Sequence, residues 1–143
     1  MSAAPLLQVE GLSVEFAMRT QTVRAVDDVS LIVGAGEVVG VVGESGSGKT
    51  TLGLALTRLI PEPVAAIRGG RVRFDGEDLL ALPPARLQQV RGGRIGYVFQ
   101  EPSTSLNPVM PIGRQLLEAL ALHTPLRGDA ARRRIVALRG QGG

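Results

Sequence analysis

The sequence predicts an α/β fold in which a glycine-rich phosphate-binding loop joins a buried strand to a helix, behind a strand-rich N-terminal region. Three observations carry this expectation. Gly43-Glu44-Ser45-Gly46-Ser47-Gly48-Lys49-Thr50 matches G-x-x-x-x-G-K-[ST], whose glycines let backbone N–H groups close around a triphosphate. The preceding Glu37–Val42 is a nearly continuous apolar run, as expected of a parallel strand buried on both faces. The following Thr51–Ile60 has helix formers with apolar residues at helical spacing, and Pro61 stops it. A helix placed there adds its partial positive charge and free N–H groups to the phosphate site.

Composition sharpens the loop. Lys49 is the only lysine among sixteen lysines and arginines, so an ammonium is used only where a compact, mobile charge can reach β- and γ-phosphates. Arginine's wide planar fork is a poor substitute there. By average residue frequencies, accident would produce such a pattern in roughly one chain of this length in a few hundred.

The other elements follow in order. Leu6–Phe16 alternates loosely and reads as a strand, and Val23–Val33 as a second, with Gly34-Ala35-Gly36 turning the chain toward Glu37. After the first helix, Val72 and Phe74 alternate with Arg71 and Arg73, and Asp75-Gly76 supplies a tight turn, so a half-exposed hairpin is expected. Leu82–Arg91 reads as a short helix entered through Pro83-Pro84, and Ile95–Phe99 as a second buried strand ending at Gln100. Pro111–Leu122 reads as a helix with Pro111 in its first turn and Ile112, Leu116 and Leu120 on one face. A last helix runs from Asp129 as N-cap through Arg139, with Ala131, Ile135 and Leu138 on its apolar side. The expected organisation is a β subdomain and loop-bearing core over 1–100, helices over 101–139, and a tail over 140–143.

Bulk properties exclude several classes. The 143 residues are 44 % apolar and 20 % charged, with mean hydropathy +0.18, enough for one ordinary domain with a core. No stretch approaches the roughly twenty uninterrupted apolar residues of a spanning helix, and the N-terminal segment has no secretory pattern. With no cysteine, disulfides and thiolate metal sites are excluded. The net charge of +3 could suggest nucleic acid, but the arginines are scattered, aromatics are 3 % and no stacking platform is visible, so no nucleic-acid partner is expected.

Glycine loops of this kind serve many activities. The strand-rich residues ahead of this one, GESGSGKTT itself, and Tyr97-Val98-Phe99-Gln100-Glu101-Pro102 together resemble the ATP-binding subunits of ABC transporters, with Gln100 at the Q-loop position. Ala25-Val26-Asp27-Asp28-Val29-Ser30 and Ser103-Thr104-Ser105-Leu106-Asn107-Pro108 resemble the dipeptide, oligopeptide and nickel importers in particular. The resemblance runs from about Leu6 to His123. It implies a P-loop NTPase core with an N-terminal antiparallel β subdomain, ATP and Mg²⁺ as cofactors, permease and second ATP-binding subunits as partners, and a peripheral place on the cytoplasmic face of the membrane. By the same resemblance, Gly43, Glu44, Ser45, Gly46, Ser47, Gly48, Lys49, Thr50 and Thr51 wrap the phosphates. Lys49 neutralises the β/γ oxygens, the Thr50 hydroxyl ligates Mg²⁺, and Gln100 reaches the metal or attacking water. Phe16 corresponds to the aromatic that stacks on adenine, usually tyrosine or tryptophan; a strand-core phenylalanine is the other reading. Glu101–Pro108 would lie near the surface that receives a permease.

The family pattern continues with a signature like Leu-Ser-Gly-Gly-Gln, an apolar strand ending in Asp-Glu, and a switch histidine. None is present in this sequence, and His123 comes too early to be that histidine, reading instead as a solvent-facing or capping residue. The expectation is an N-terminal portion, truncated within the helical subdomain, that holds nucleotide but does not complete hydrolysis alone, because no group orients the attacking water as a base. A non-catalytic nucleotide-binding fragment without a transport role is the alternative. Arg132-Arg133-Arg134 reads as a solvated helix face, and Asp75, Glu77 and Asp78 as turn residues without a metal-ligand pattern.

Overall fold

The computed structural model describes residues 4–101 and 106–140. They fall into two compact units, divided between Leu87 and Gln88.

The first unit is built on an antiparallel sheet of β1 (Leu7–Ala17), β2 (Thr22–Val33), β3 (Ala65–Phe74) and the two-residue β4 (Glu77–Asp78), in the order β2-β1-β3-β4. Helix α1 (Lys49–Ala55) lies against β1 and β2. Apolar residues from the sheet and helix share one core: Val9, Leu12 and Val14 from β1, Val26 from β2, Val72 and Phe74 from β3, and Leu52 and Ala55 from α1. Each fully buried Val or Leu contributes about 1.5–3 kcal/mol of transfer free energy. The expected hairpin is present, with Phe74 opposite Glu77 across the Asp75-Gly76 turn.

Strand β1 does not keep strict alternation. Its buried positions step from Val9 to Leu12, and the register with β2 shifts there, so an extra residue is accommodated as a bulge. Side-chain hydroxyls take over donors that the ladder loses: Ser30 Oγ accepts from Gly11 N at 2.9 Å and Ser13 Oγ from Asp28 N at 3.0 Å. On the other side, Gly70 has φ +99° and a Cβ there would stand 2.5 Å from Leu12 Cα. Only glycine lets β3 approach β1 this closely.

Two expected strands do not form. Glu37–Val42 pairs with no strand among the described residues, and Val38 and Val42 are 96 % and 93 % exposed. Ile95–Phe99 makes only an isolated bridge, Ile95 with Arg91, and Val98 is 98 % exposed. The apolar run expresses a preference, but a parallel strand is stabilised by neighbours on both edges and cover on both faces. Neither run has them here. The first helix is also shorter than the expected Thr51–Ile60: turns follow Ala55, and Arg58 at φ +57° ends it, while Ile60 is still buried.

The second unit begins in α2 (Pro84–Val90), whose Leu87 and Val90 are buried. The Val90 carbonyl accepts from Arg94 N and Ile95 N, both at 2.9 Å, closing a turn. Helices α3 (Ile112–His123) and α4 (Gly128–Gly140) pack on each other. Arg127 satisfies the open end of α3, donating to Ala121 O and Thr124 O at 3.0 and 2.7 Å. On α4, Ala131 and Ile135 are buried as expected, but Leu138 is 45 % exposed and Ile112 of α3 is 56 % exposed. Ile112 stands in the first turn of α3, and no residue of that helix is fully buried. Helix α4 begins two residues earlier than an Asp129 cap implies, so Asp129 lies in its first turn.

Candidate phosphate-binding site

Residues 43–48 form an exposed loop between the Glu37–Val42 run and α1. Ser47 N donates to Glu44 O at 3.2 Å, and Gly46 and Gly48 have φ of +81° and +90°. These dihedrals turn the chain back so that Lys49, the first residue of α1, faces the loop it follows. Its ammonium donates to Gly43 O at 2.8 Å, Glu44 O at 2.6 Å and Ser47 Oγ at 3.2 Å. All three ammonium donors are thereby engaged, and the charge is held at the centre of the loop rather than swinging in solvent.

Gly48 anchors this arrangement to the sheet. It caps α1, whose first turn contains no acidic side chain and whose cap makes no side-chain hydrogen bond. A Cβ at Gly48 would stand 2.1 Å from Ala25 O in β2, so loop and strand are in backbone contact. Leu52 N donates to Gly48 O at 2.8 Å, and Leu52 and Ala55 bury the helix below the loop.

A cavity of about 470 Å³ opens between the loop and β2. Gly43, Ser47, Gly48 and Lys49 line one side, and Arg24, Ala25 and Asp27 the other. Its apolar wall includes Val26, Val29 and Leu52. Arg24 Nη1 donates to Asp27 Oδ1 at 2.9 Å, and Nε and Nη2 reach Glu15 Oε1 at 3.3 and 3.2 Å. The Asp27 carboxylate, then Glu15, hold the guanidinium above its ordinary value, so it stays charged throughout.

The structure therefore brings the loop, Lys49 and β2 together. Thr50 is exposed and Thr51 half-buried in the first turn of α1. Phe16 is half-buried near the end of β1, paired with Val23 and Ala65, and does not line the cavity. Gln100 belongs to the second unit, exposed at the end of an extended run in which Tyr97 and Phe99 stack at 6.1 Å. Of the expected permease-facing segment, residues 102–105 lie outside the described residues. His123 is an exposed side chain that lies over the turn after α2, where a Cβ on Gly92 would stand 2.6 Å from its Nε2. The acidic hairpin residues are engaged in ion pairs, Glu77 with Arg86 at 2.9 Å and Asp78 with Arg71 at 3.4 Å. Among the described residues no group of three or more His, Cys, Asp or Glu could hold a metal ion. Sequence reasoning missed Arg24 and Asp27, whose only local signal is opposite charge three residues apart in a strand.

A family profile described as ABC transporter matches residues 26–140. Over 138 residues the chain is 48 % identical to a peptide import ATP-binding protein of Brucella melitensis biotype 1, covering 96 % of this chain and 41 % of that protein. It is 41 % identical over 133 residues to the oligopeptide transport ATP-binding protein OppD of Bacillus subtilis, covering 93 % of this chain and 37 % of that protein. The peptidoglycan transport ATP-binding protein YejF of Agrobacterium fabrum is 48 % identical over 134 residues, covering 94 % of this chain and 24 % of that protein. The fold resembles the dimeric post-hydrolysis structure of the ATP-binding cassette MJ0796 bound to ADP and Pi, with a TM-score of 0.77 at 24 % identity, covering 92 % of this chain and 54 % of that one. The chain thus spans well under half the length of these curated relatives.

Proposed function

The chain belongs to the ABC transporter family, and on that footing we propose that it is the phosphate-binding portion of an ATP-binding subunit that energises dipeptide or oligopeptide import. The observation that carries the reading is the Lys49 ammonium held inside the 43–48 loop, against a cavity of nucleotide size. Relatives named for peptide import at 41–48 % identity support the substrate class.

In this reading the backbone of residues 43–51 wraps the β- and γ-phosphates, and Lys49 shares its donors between the loop carbonyls and the phosphate oxygens. The first turn of α1, which has no acidic side chain of its own, contributes positive potential. Thr50 fits as an Mg²⁺ ligand, since magnesium takes few protein oxygens beside phosphate and water, and an exposed hydroxyl beside Lys49 offers one. The ion would supply charge neutralisation. Phe16 is the proposed adenine contact and Gln100 the group that reaches the metal or the attacking water. Residues 1–100 would then form the β subdomain and core, and 101–139 the start of the helical subdomain.

The proposed partners are permease subunits and a second ATP-binding subunit at the cytoplasmic face of the membrane. No helix among the described residues is long and apolar enough to cross one. Nucleotide titration of the chain and of Lys49→Ala tests the reading: equal ATP affinity in the two would end it.

A further inference from the structure

The cavity beside the loop is lined by three charged side chains, Lys49 on the loop side and the ion-paired Arg24 and Asp27 on β2. Lys49 attracts phosphate. On the β2 side Arg24 is paired to Asp27 and largely offsets its charge, so Lys49 is the unpaired cation of the lining toward which phosphate is drawn, and Asp27 suits a neutral hydrogen-bond donor. Asp27 is an acceptor without donors when ionised, and its Oδ1 is engaged by Arg24 Nη1 at 2.9 Å, which leaves lone pairs for a second partner. Its side chain is 66 % exposed, so it remains open to a ligand. The rest of the lining includes the apolar Val26, Val29 and Leu52 and the Ser47 hydroxyl, which already accepts from Lys49.

We infer that Asp27 is the ribose-binding residue of this cavity, its carboxylate accepting hydrogen bonds from the sugar hydroxyls of a nucleotide whose phosphates are at Lys49. Arg24 acts as a positioning residue. It is fixed from its other edge by Glu15 at 3.2–3.3 Å, and it offsets the repulsion between the Asp27 carboxylate and the phosphate chain. Carboxylate recognition of ribose is a chemistry that phosphate sites use elsewhere. The inference rests on the nucleotide reading above and adds to it a preference for ribonucleotides.

The test compares ATP, 2′,3′-dideoxy-ATP, inosine triphosphate and inorganic tripolyphosphate on the full chain, Asp27→Ala, Arg24→Gln and Lys49→Ala by calorimetry. The wild-type chain is expected to bind ATP about tenfold more tightly than the dideoxy analogue, the worth of one charge-assisted hydrogen bond. Asp27→Ala should bind the two alike while binding tripolyphosphate at least as tightly as the wild type, which shows an intact loop. Arg24→Gln should reduce the ATP-to-dideoxy ratio without removing it. Unchanged discrimination in Asp27→Ala would overturn the inference. So would discrimination against inosine triphosphate, rather than the dideoxy analogue, that depends on Asp27, since the carboxylate would then meet the base. If neither ATP nor tripolyphosphate binds in a Lys49-dependent way, the nucleotide reading itself fails, and the tripolyphosphate arm separates that outcome from the others.

Discussion

The carbonyl oxygen of Ala25 occupies the place where a side chain on Gly48 would have to go, 2.1 Å from an ideal Cβ. This contact seats the glycine-rich loop on the edge strand β2 and fixes where α1 begins. Glycine is required twice over, for this approach and for φ +90°.

Gly48→Ala should therefore remove Lys49-dependent nucleotide binding and lower the melting temperature. Gly46→Ala is the matched control, with φ +81° but nothing within 4 Å of its Cβ. Its cost is the backbone strain alone, about 1–2 kcal/mol. Thermal denaturation and ATP titration of both variants check the difference; equal losses would show that the Ala25 contact is unimportant.

Lys49→Ala removes three hydrogen bonds from the loop as well as the charge. At least tenfold weaker ATP binding is expected, with little change in stability because the loop is exposed. Lys49→Arg should recover only part of the affinity, since a planar fork cannot reproduce the compact ammonium between two carbonyls. Isothermal titration with Mg-ATP measures both.

Wild-type chain should bind ATP without measurable turnover. The proposed phosphate loop is present, but the sequence contains no acidic residue in the Asp-Glu context that would act as general base. A phosphate-release assay on the purified chain tests this, and sustained Lys49-dependent release would contradict it.

Core and apolar-run substitutions should separate cleanly. Leu12→Ala deletes a fully buried side chain and should cost about 2–5 kcal/mol by denaturant titration. Val38→Ala should be near neutral, since Val38 is 96 % exposed. Val38→Lys with Val42→Lys should reduce self-association measured by sedimentation, because unpaired apolar backbone is a template for other chains.

Much of the candidate site is legible in the sequence. The spacing of Gly43, Gly48, Lys49 and Thr50 carries the loop, because its chemistry is local: glycine dihedrals, one ammonium and a following helix. The Asp75-Gly76 hairpin and the three later helices were legible for the same reason, since turn chemistry and helical periodicity act over a few residues. Burial was not. Val38–Val42 and Ile95–Phe99 carry the pattern of central strands, yet a strand is buried only when other strands and helices cover it, and that depends on residues far away in sequence. The approach of Ala25 to Gly48, and with it the placing of Arg24 and Asp27 beside Lys49, was equally hidden. By itself the sequence determined the glycine-rich loop and which residues make this proposed phosphate cradle. Only the tertiary structure decided what faces that cradle, because packing of the loop on β2 brings together residues more than twenty positions apart in the chain.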